Sequence, residues 1–210
     1  SRPIALMPML YRLYTKIRRP EIVQWELAKQ GPWDAAVKGS SALRAGMLSL
    51  LRDEMAVRLG KDTLITLWDM EKFYDNIDIE MLIKEAIAME YNITLLSLGL
   101  QMHMAPRGLK CYGFCPGQVA AGNGIIAGCT QSTTFTKIYL HAVLQGFWDK
   151  YQTRILLGQA TLAAPNDPQP EVDADMRSFI DDMSMATYGA APAIYEVHAH
   201  MGNYLAKKLR

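Results

Sequence analysis

The chain has 210 residues, half of them apolar, which is enough for one domain with a substantial core and excludes a disordered or fibrous protein. No segment resembles a signal peptide, and no apolar run approaches the roughly 18 residues of a membrane span. Three cysteines are too few for a disulfide framework. We therefore expect an intracellular protein, nuclear or cytoplasmic, that is not secreted and has no membrane partner.

Charge is distributed unevenly along the chain. Residues 1–60 carry ten Lys and Arg against five Asp and Glu, whereas the remainder carries twelve against sixteen. A basic first third beside an acidic remainder suits a protein that holds an anionic polymer with one lobe and metal ions with the other. An ordinary mixed surface explains the same numbers equally well.

The first sixty residues predict two helices. Apolar residues recur at helical spacing in "IALMPMLYRLYTKI", and Pro20 is expected to limit that helix. The second helix covers "SALRAGMLSLLRDEMAVRLG", with Ser40 or Ser41 as its cap and Gly60 as its end. We expect the apolar residues of this second helix to share one face.

After Gly60 the period of the pattern changes. The segment "TLITLWDM" is short and rich in β-branched and aromatic residues, which predicts a buried strand ending near Asp69. Asp78 is expected to cap a helix over "IEMLIKEAIAME", and "NITLLSLGLQMHM" predicts another.

The rest of the chain predicts loops, one long helix and a strand pair. Glycine-rich residues 106–128 favour loops or a hairpin, and the helical histidines His198 and His200 are expected at the surface or at an interface. The remaining predicted elements are a helix over 130–151, a strand over 154–158, a polar connector over 163–175, strands over 176–180 and 183–189, and a helix from 192 to 209.

Two adjacent acids, Asp181 and Asp182, fall between the last two predicted strands, at the tip of a hairpin. An exposed turn accommodates such a pair without any function, because Asp favours turns. A third acid, Asp69, ends another apolar strand, however. Carboxylates from neighbouring strand ends are the hard oxygen ligands that phosphoryl transfer with two divalent cations requires.

Four segments together resemble the palm of a reverse transcriptase, in particular those of non-LTR retroelements. "RPIALMPMLYRLYTKIRR" is similar to the family's fingers block, and "DMEKFYDNID" to its motif A. "AGCTQSTTFTKIYLHAVL" resembles motif B, and "FIDD" resembles the aromatic-x-Asp-Asp of motif C. The blocks occur in the family's order and cover nearly the whole chain.

The resemblance implies a catalytic role for the three acids. Asp69 and Asp181 match the carboxylates that bind two Mg²⁺ ions, for which Mn²⁺ is a possible substitute, and Asp182 is the second Asp of the motif. Neighbouring residues of a strand point to opposite faces, so Asp181 and Asp182 should not bind metal equally. We favour Asp181.

The resemblance also implies nucleotide and nucleic-acid contacts. Tyr74 matches the aromatic gate under the sugar of the incoming nucleotide, although Phe73 and Tyr74 are also typical core aromatics. The residues matched to nucleotide binding are Tyr74, Gln131, Arg2 and Gly128; those matched to the nucleic-acid backbone, where a solvated helix face explains them equally well, are Lys16, Arg18 and Arg19.

The fold implied is α+β: a polymerase palm with a small antiparallel sheet packed on helices, plus partial, mostly helical fingers. Residues 1–60 would form the partial fingers and 61–210 the palm. No thumb or nuclease is recognised, so we expect a piece of a larger polyprotein.

The function implied is that of an RNA-directed DNA polymerase that uses an RNA template, a DNA primer and dNTPs. Two alternatives remain open from sequence. One is an RNA-dependent RNA polymerase palm, against which Tyr74 argues. The other is a non-catalytic remnant that binds RNA or a protein partner.

Overall fold

The computed structural model describes residues 6–108, 110, 113–114, 117–163 and 172–209, and for residues 153–154 and 156–163 it describes only the backbone. Six α-helices and five strands form in these residues, with a short 3-10 helix over Phe73–Asn76. The helices are α1 (Met9–Lys29), α2 (Ala42–Arg58), α3 (Ile79–Ala88), α4 (Ile93–Met104), α5 (Ser132–Ala163) and α6 (Ala191–Lys208). The strands are β1 (Asp62–Trp68), β2 (Arg107–Gly108), β3 (Gln118–Val119), β4 (Val172–Phe179) and β5 (Asp182–Gly189).

The chain forms two compact units, each assembled from two separate segments. The first unit comprises Ser1–Lys29 and Glu71–His141, and the second comprises Gln30–Met70 and Ala142–Arg210. The division into partial fingers over residues 1–60 and a palm over residues 61–210 stays a prediction. Among the described residues no helix is long and apolar enough to cross a membrane.

The first unit packs helices around aromatic and aliphatic side chains. Phe135 is fully buried, and its ring contacts that of Tyr91 edge-on at 6.2 Å between centroids. Asp78 caps α3 as predicted, accepting a hydrogen bond from the Met81 amide at 2.7 Å. The predicted hairpin is present as the short antiparallel pair of β2 and β3.

The second unit is built on a three-stranded antiparallel sheet in the order β1-β5-β4. α6 contacts all three strands, and α2 contacts β1. Ser41 caps α2, because its side chain accepts a hydrogen bond from the Arg44 amide at 3.2 Å. The helix ends just before Gly60, whose φ is 71°. These helix ends agree with the sequence prediction, and the combination of helices and antiparallel strands confirms the mixed α+β class.

The prediction that Pro20 limits the first helix is wrong, because α1 continues through it to Lys29. Pro20 removes one backbone hydrogen bond. The helix beyond it is held by tertiary packing: Ile22 is completely buried, and the Trp25 ring lies edge-on against Tyr91 at 4.9 Å between centroids. Packing therefore overrides the local preference.

The predicted strand over 154–158 is also wrong, because these residues lie in α5. Ile155 is fully buried and follows Phe147 and Tyr151 at spacings of four residues, so the apolar stripe of the helix simply continues. The connector predicted over 163–175 is wrong at its end, since β4 already begins at Val172. Residues 164–171 of that connector lie outside the described residues.

Two details of the sheet differ from expectation. β1 is not a buried strand, because none of its seven residues is buried. The hairpin turn consists of Ile180 and Asp181, while Asp182 already pairs with Phe179 as the first residue of β5. The apolar composition of β1 identified a strand but did not reveal that one of its faces is open.

Candidate active site

The three predicted acids lie at one end of the sheet of the second unit. β1 and β5 are paired up to Trp68 and Met183, and continuing this register by one residue sets Asp69 opposite Asp182. Opposite residues of an antiparallel pair point to the same face, so Asp69 and Asp182 share a face. Both are exposed, whereas Asp181 in the adjoining turn is half-buried.

The turn that carries Asp181 has an unusual backbone. Ile180 has a φ of 63°, in the left-handed region that β-branched residues rarely adopt. The Ser178 hydroxyl donates to the Ile180 carbonyl at 3.1 Å. Two further backbone hydrogen bonds hold Ser178, from its amide to the Trp33 carbonyl at 2.9 Å and from the Ala35 amide to its carbonyl at 2.8 Å. The surroundings therefore impose a strained turn directly before Asp181.

A charged cluster covers the opposite end of the same sheet face. Asp175 is paired with Arg52 of α2 and lies 3.3 Å from Arg177, and Asp173 is paired with Lys61 at 2.6 Å. Both carboxylates are buried. Since alternate residues of a strand share a face, Asp173, Asp175 and Arg177 line up towards the acid end.

A tyrosine links this cluster to α2. The Tyr188 hydroxyl donates to Asp53 at 3.1 Å. Burial raises the pKa of the Asp53 carboxyl, which the hydrogen bond from Tyr188 opposes, and burial also raises the pKa of Tyr188. The cluster thus fastens α2 to the sheet by ion pairs and hydrogen bonds at the end away from Asp69.

Sequence reasoning missed this cluster. The signal was the alternation in "VDADMR", which puts Asp173 and Asp175 on one face if the segment is a strand. The neighbouring prolines and polar residues made the segment resemble a connector, and an ion pair with a residue more than a hundred positions away cannot be read from local pattern.

In the first unit, Phe73 and Tyr74 have different environments. Phe73 is buried, and its ring lies edge-on to Tyr139 at 6.1 Å between centroids. The Tyr74 ring is half-buried. The Tyr74 carbonyl accepts a hydrogen bond from the Ile125 amide at 2.7 Å, which ties this segment to the loop before α5. Phe73 is therefore the core aromatic of the pair, and Tyr74 is the more accessible one.

Gly128 and Gln131 belong to that loop and to the turn entering α5. Gly128 is exposed with a φ of 85°, which favours glycine. Gln131 is completely buried, and its Oε1 accepts a hydrogen bond from the Tyr11 hydroxyl at 2.6 Å. Gln131 therefore joins α1 to the start of α5 in this structure, and a contact with a nucleotide stays a prediction that requires its side chain to become accessible.

Two of the three basic residues matched to the nucleic-acid backbone pair with acidic neighbours on α1. Arg18 forms an ion pair with Glu21 at 3.1 Å, and Arg19 forms one with Glu26 at 3.2 Å. Lys16 is exposed. Arg2 lies outside the described residues, so its predicted role is not addressed by the structure.

Hard oxygen ligands for a divalent cation are available at the acid end of the sheet. Among the described residues no group of three or more His, Cys, Asp or Glu side chains is arranged to hold a metal ion. Mg²⁺ in phosphate-transfer sites is typically held by one or two carboxylates together with water and substrate phosphates. The carboxylates of Asp69 and Asp181 fit this donor set, and they are the residues that could hold such an ion.

A small antiparallel sheet with acids at one end and a helix packed against it makes the second unit a mixed α+β structure. The family model described as reverse transcriptase (RNA-dependent DNA polymerase) matches residues 1–208. The chain belongs to the reverse transcriptase family. No curated protein matches it.

Membership of this family assigns the domain to the RNA-directed DNA polymerases, which are nucleotidyltransferases. Its substrates are accordingly nucleic acid and nucleotides, and divalent metal ions are the general cofactors of such domains.

Proposed function

We propose that this chain, from an element of the non-LTR type, extends a DNA primer on an RNA template by two-metal nucleotidyl transfer with dNTPs. The observation that carries the proposal is the register of the sheet, which brings Asp69 at the end of β1 next to the β4–β5 turn containing Asp181. The motifs that resemble those of non-LTR elements occur in the expected order in a chain whose family is established.

The acids would act as metal ligands. Divalent ions held there would supply Lewis-acid chemistry, lowering the pKa of an attacking hydroxyl and stabilising a leaving group. Asp69 and Asp181 would hold them with carboxylate oxygens while the primer 3′-hydroxyl attacks the α-phosphate and pyrophosphate leaves. Asp182, the second Asp of the motif, shares the face of Asp69 in the continued register, so its carboxylate would lie beside the ions, while Asp181 remains the residue matched to the second metal ligand.

Tyr74 would act as the gate that selects deoxynucleotides. Tyr74 is half-buried and more exposed than the neighbouring Phe73, which supports this role. A ring under the sugar collides with a 2′-hydroxyl, which is the group that distinguishes RNA from DNA. Gly128, Gln131 and Arg2 remain proposed nucleotide contacts, and Lys16, Arg18 and Arg19 remain proposed contacts to the nucleic-acid backbone.

Primer extension on an RNA template with dNTPs and Mg²⁺ tests the proposal. We expect Asp69→Asn and Asp181→Asn each to lower kcat by about a thousandfold, because each removes a metal ligand. Asp78→Asn is the matched control: it makes the same chemical change at a helix cap, where Asn caps as well as Asp. Equal activity of wild type and Asp181→Asn would refute the metal assignment, and a folded but inactive wild type would favour the non-catalytic remnant.

Sugar selection gives an independent test of the gate. We expect Tyr74→Val to incorporate ribonucleotides, measured as the ratio of kcat/KM for rNTP and dNTP, while the dNTP reaction continues. An unchanged ratio would remove Tyr74 from this role and leave the metal assignment untouched.

A further inference from the structure

α6 holds the strand that carries Asp69 through a buried histidine. His198 is almost fully buried on the sheet face opposite Asp69 and Asp182. Its Nε2 lies 2.7 Å from the Thr66 hydroxyl, and its Nδ1 lies 3.0 Å from the Thr187 hydroxyl. Both ring nitrogens are therefore engaged, one with β1 and the other with β5.

The two hydroxyls belong to different positions along the sheet. Thr66 pairs with Met185, and Thr187 pairs with Leu64, so the imidazole spans the two strands diagonally. A neutral imidazole has one donor and one acceptor nitrogen, and each threonine hydroxyl can play the complementary role. Burial lowers the pKa of His198, which is consistent with the neutral form.

α6 makes a second contact one turn further along. Gly202 lies next to Trp68, since a Cβ at this position would stand 3.8 Å from Trp68 Cζ2 and 3.6 Å from Met185 Cε. A step of four residues on a helix and a step of two residues on a strand both advance by about 6–7 Å. His198 and Gly202 therefore match Thr66 and Trp68, the last two residues of β1 on that face before Asp69.

This attachment matters because the end of β1 that leads to Asp69 has little other support, although α2 also contacts this strand. No residue of β1 is buried, and among the described residues its outer edge has no strand partner. On the face that Asp69 shares, Leu67 is 78% exposed. The end of β1 is thus held by its ladder to β5 and by α6 on one face.

We propose that His198 is a positioning residue that fixes β1 against β5, and thereby sets the separation between Asp69 and the turn containing Asp181. The inference rests on the proposed metal-binding function of these acids. His198 touches neither substrate nor metal, and it acts through Thr66 and Thr187 from the opposite face of the sheet.

The test measures Mn²⁺ binding to the full chain by electron paramagnetic resonance, without nucleic acid or nucleotide. We expect His198→Leu and Thr66→Val each to raise the Kd for Mn²⁺ by about tenfold, in the range found when groups that orient metal ligands are removed. Thr66→Ser retains the hydroxyl and should restore the wild-type Kd. His200→Gln is the matched control, because His200 contacts Tyr151 rather than a strand.

Amide hydrogen exchange of the metal-free protein provides the second readout. Exchange of the β1 amides should accelerate in Thr66→Val and His198→Leu, while the β4 amides retain their wild-type rates. If His198→Leu does not fold, Thr66→Val alone decides the question, since it only replaces one hydroxyl by a methyl group, in a strand with no buried residue.

The outcomes separate the two proposals. If the wild type binds Mn²⁺ and Thr66→Val binds it equally well, the positioning role is overturned and the proposed function stands. Wild type that binds no Mn²⁺ would overturn the positioning role, whereas the proposed function would then be decided by primer extension, in which substrate phosphates complete the metal site.

Discussion

The two structural elements that bring the acids together differ sharply in how they are packed. β1, which leads to Asp69, has no buried residue, and Leu67 near its end is 78% exposed. The β4–β5 hairpin, which carries Asp181, is buried along most of both strands. A site that needs carboxylates from both elements is therefore built from one firmly packed part and one weakly packed part.

The weaker packing of β1 affects which part of the site opens first. Local opening in a folded protein begins where few apolar contacts hold the backbone. Asp181 is fixed by the core of the second unit, and its turn is further held by Ser178 and the segment around Trp33. The position of Asp69 depends on β1, so we expect the geometry of the site to be lost first on the β1 side.

The largest expected effect comes from truncating matched apolar side chains in the two elements. Met185 of β5 is 1% exposed, and Met185→Ala should lower the free energy of unfolding by about 2–5 kcal/mol. Leu67→Ala in β1 should cost under about 0.5 kcal/mol, because the side chain is already in water. Urea unfolding of both variants measures the difference. Similar losses would show that β1 is packed as firmly as the hairpin.

A smaller loss is expected from the charged cluster that fastens α2 to the sheet. Arg52→Met keeps the aliphatic stem but leaves Asp175 with Arg177 as its remaining cation. We expect a loss of about 2–3 kcal/mol in the free energy of unfolding, below the full cost of an unpaired buried charge. Arg44→Met on the same helix is the control, because Arg44 is exposed. Equal effects of the two substitutions would mean that the pair with Asp175 contributes nothing.

Local pattern predicted the elements of the sheet but not their environments. The composition of "TLITLWDM" identified β1, and Asp78 and Gly60 marked helix ends, because propensity and capping act within a few residues. Whether a strand is covered depends on which elements pack on its faces. That information is distributed over residues far apart in the chain, and so the prediction of a buried strand failed.

The candidate site shows the same limit. The motifs identified Asp69 and Asp181 as candidates, because each motif is a short stretch whose residue types and spacing can be recognised locally. The support of the site was not predicted: no partner was recognised for His198, which was expected at the surface or at an interface, yet it is buried between hydroxyls of two strands. The residues around His198 along α6 do not distinguish it from His200. The two differ in their contacts: His198 lies between Thr66 and Thr187 of the sheet, whereas His200 contacts Tyr151.

The strain before Asp181 provides a more precise test of the hairpin. Ile180 adopts a left-handed backbone with a φ of 63°. Ile180→Gly and Ile180→Ala both remove the side chain, but only glycine tolerates this φ without cost. We expect the glycine variant to be more stable than the alanine variant by about 1 kcal/mol in urea unfolding. Equal stability, or greater stability of the alanine variant, would mean that the turn is not strained.

The smallest effect concerns pH and the opening of β1. Burial lowers the pKa of His198 in the folded state, so an opened state in which the imidazole meets water binds a proton more readily. The free energy of opening therefore has its full value above the ordinary histidine pKa, and it decreases as the pH drops below that value.

Amide exchange, corrected for intrinsic rates, should consequently accelerate in β1 between about pH 7.5 and about pH 5.5, while β4 changes less. His198→Gln should remove this difference between the strands, because glutamine does not titrate in that range. If β1 and β4 respond equally, or if the difference persists in His198→Gln, then the weaker strand is not held by the neutral imidazole, and its attachment to α6 must come from the packing of Trp68 against Gly202 alone.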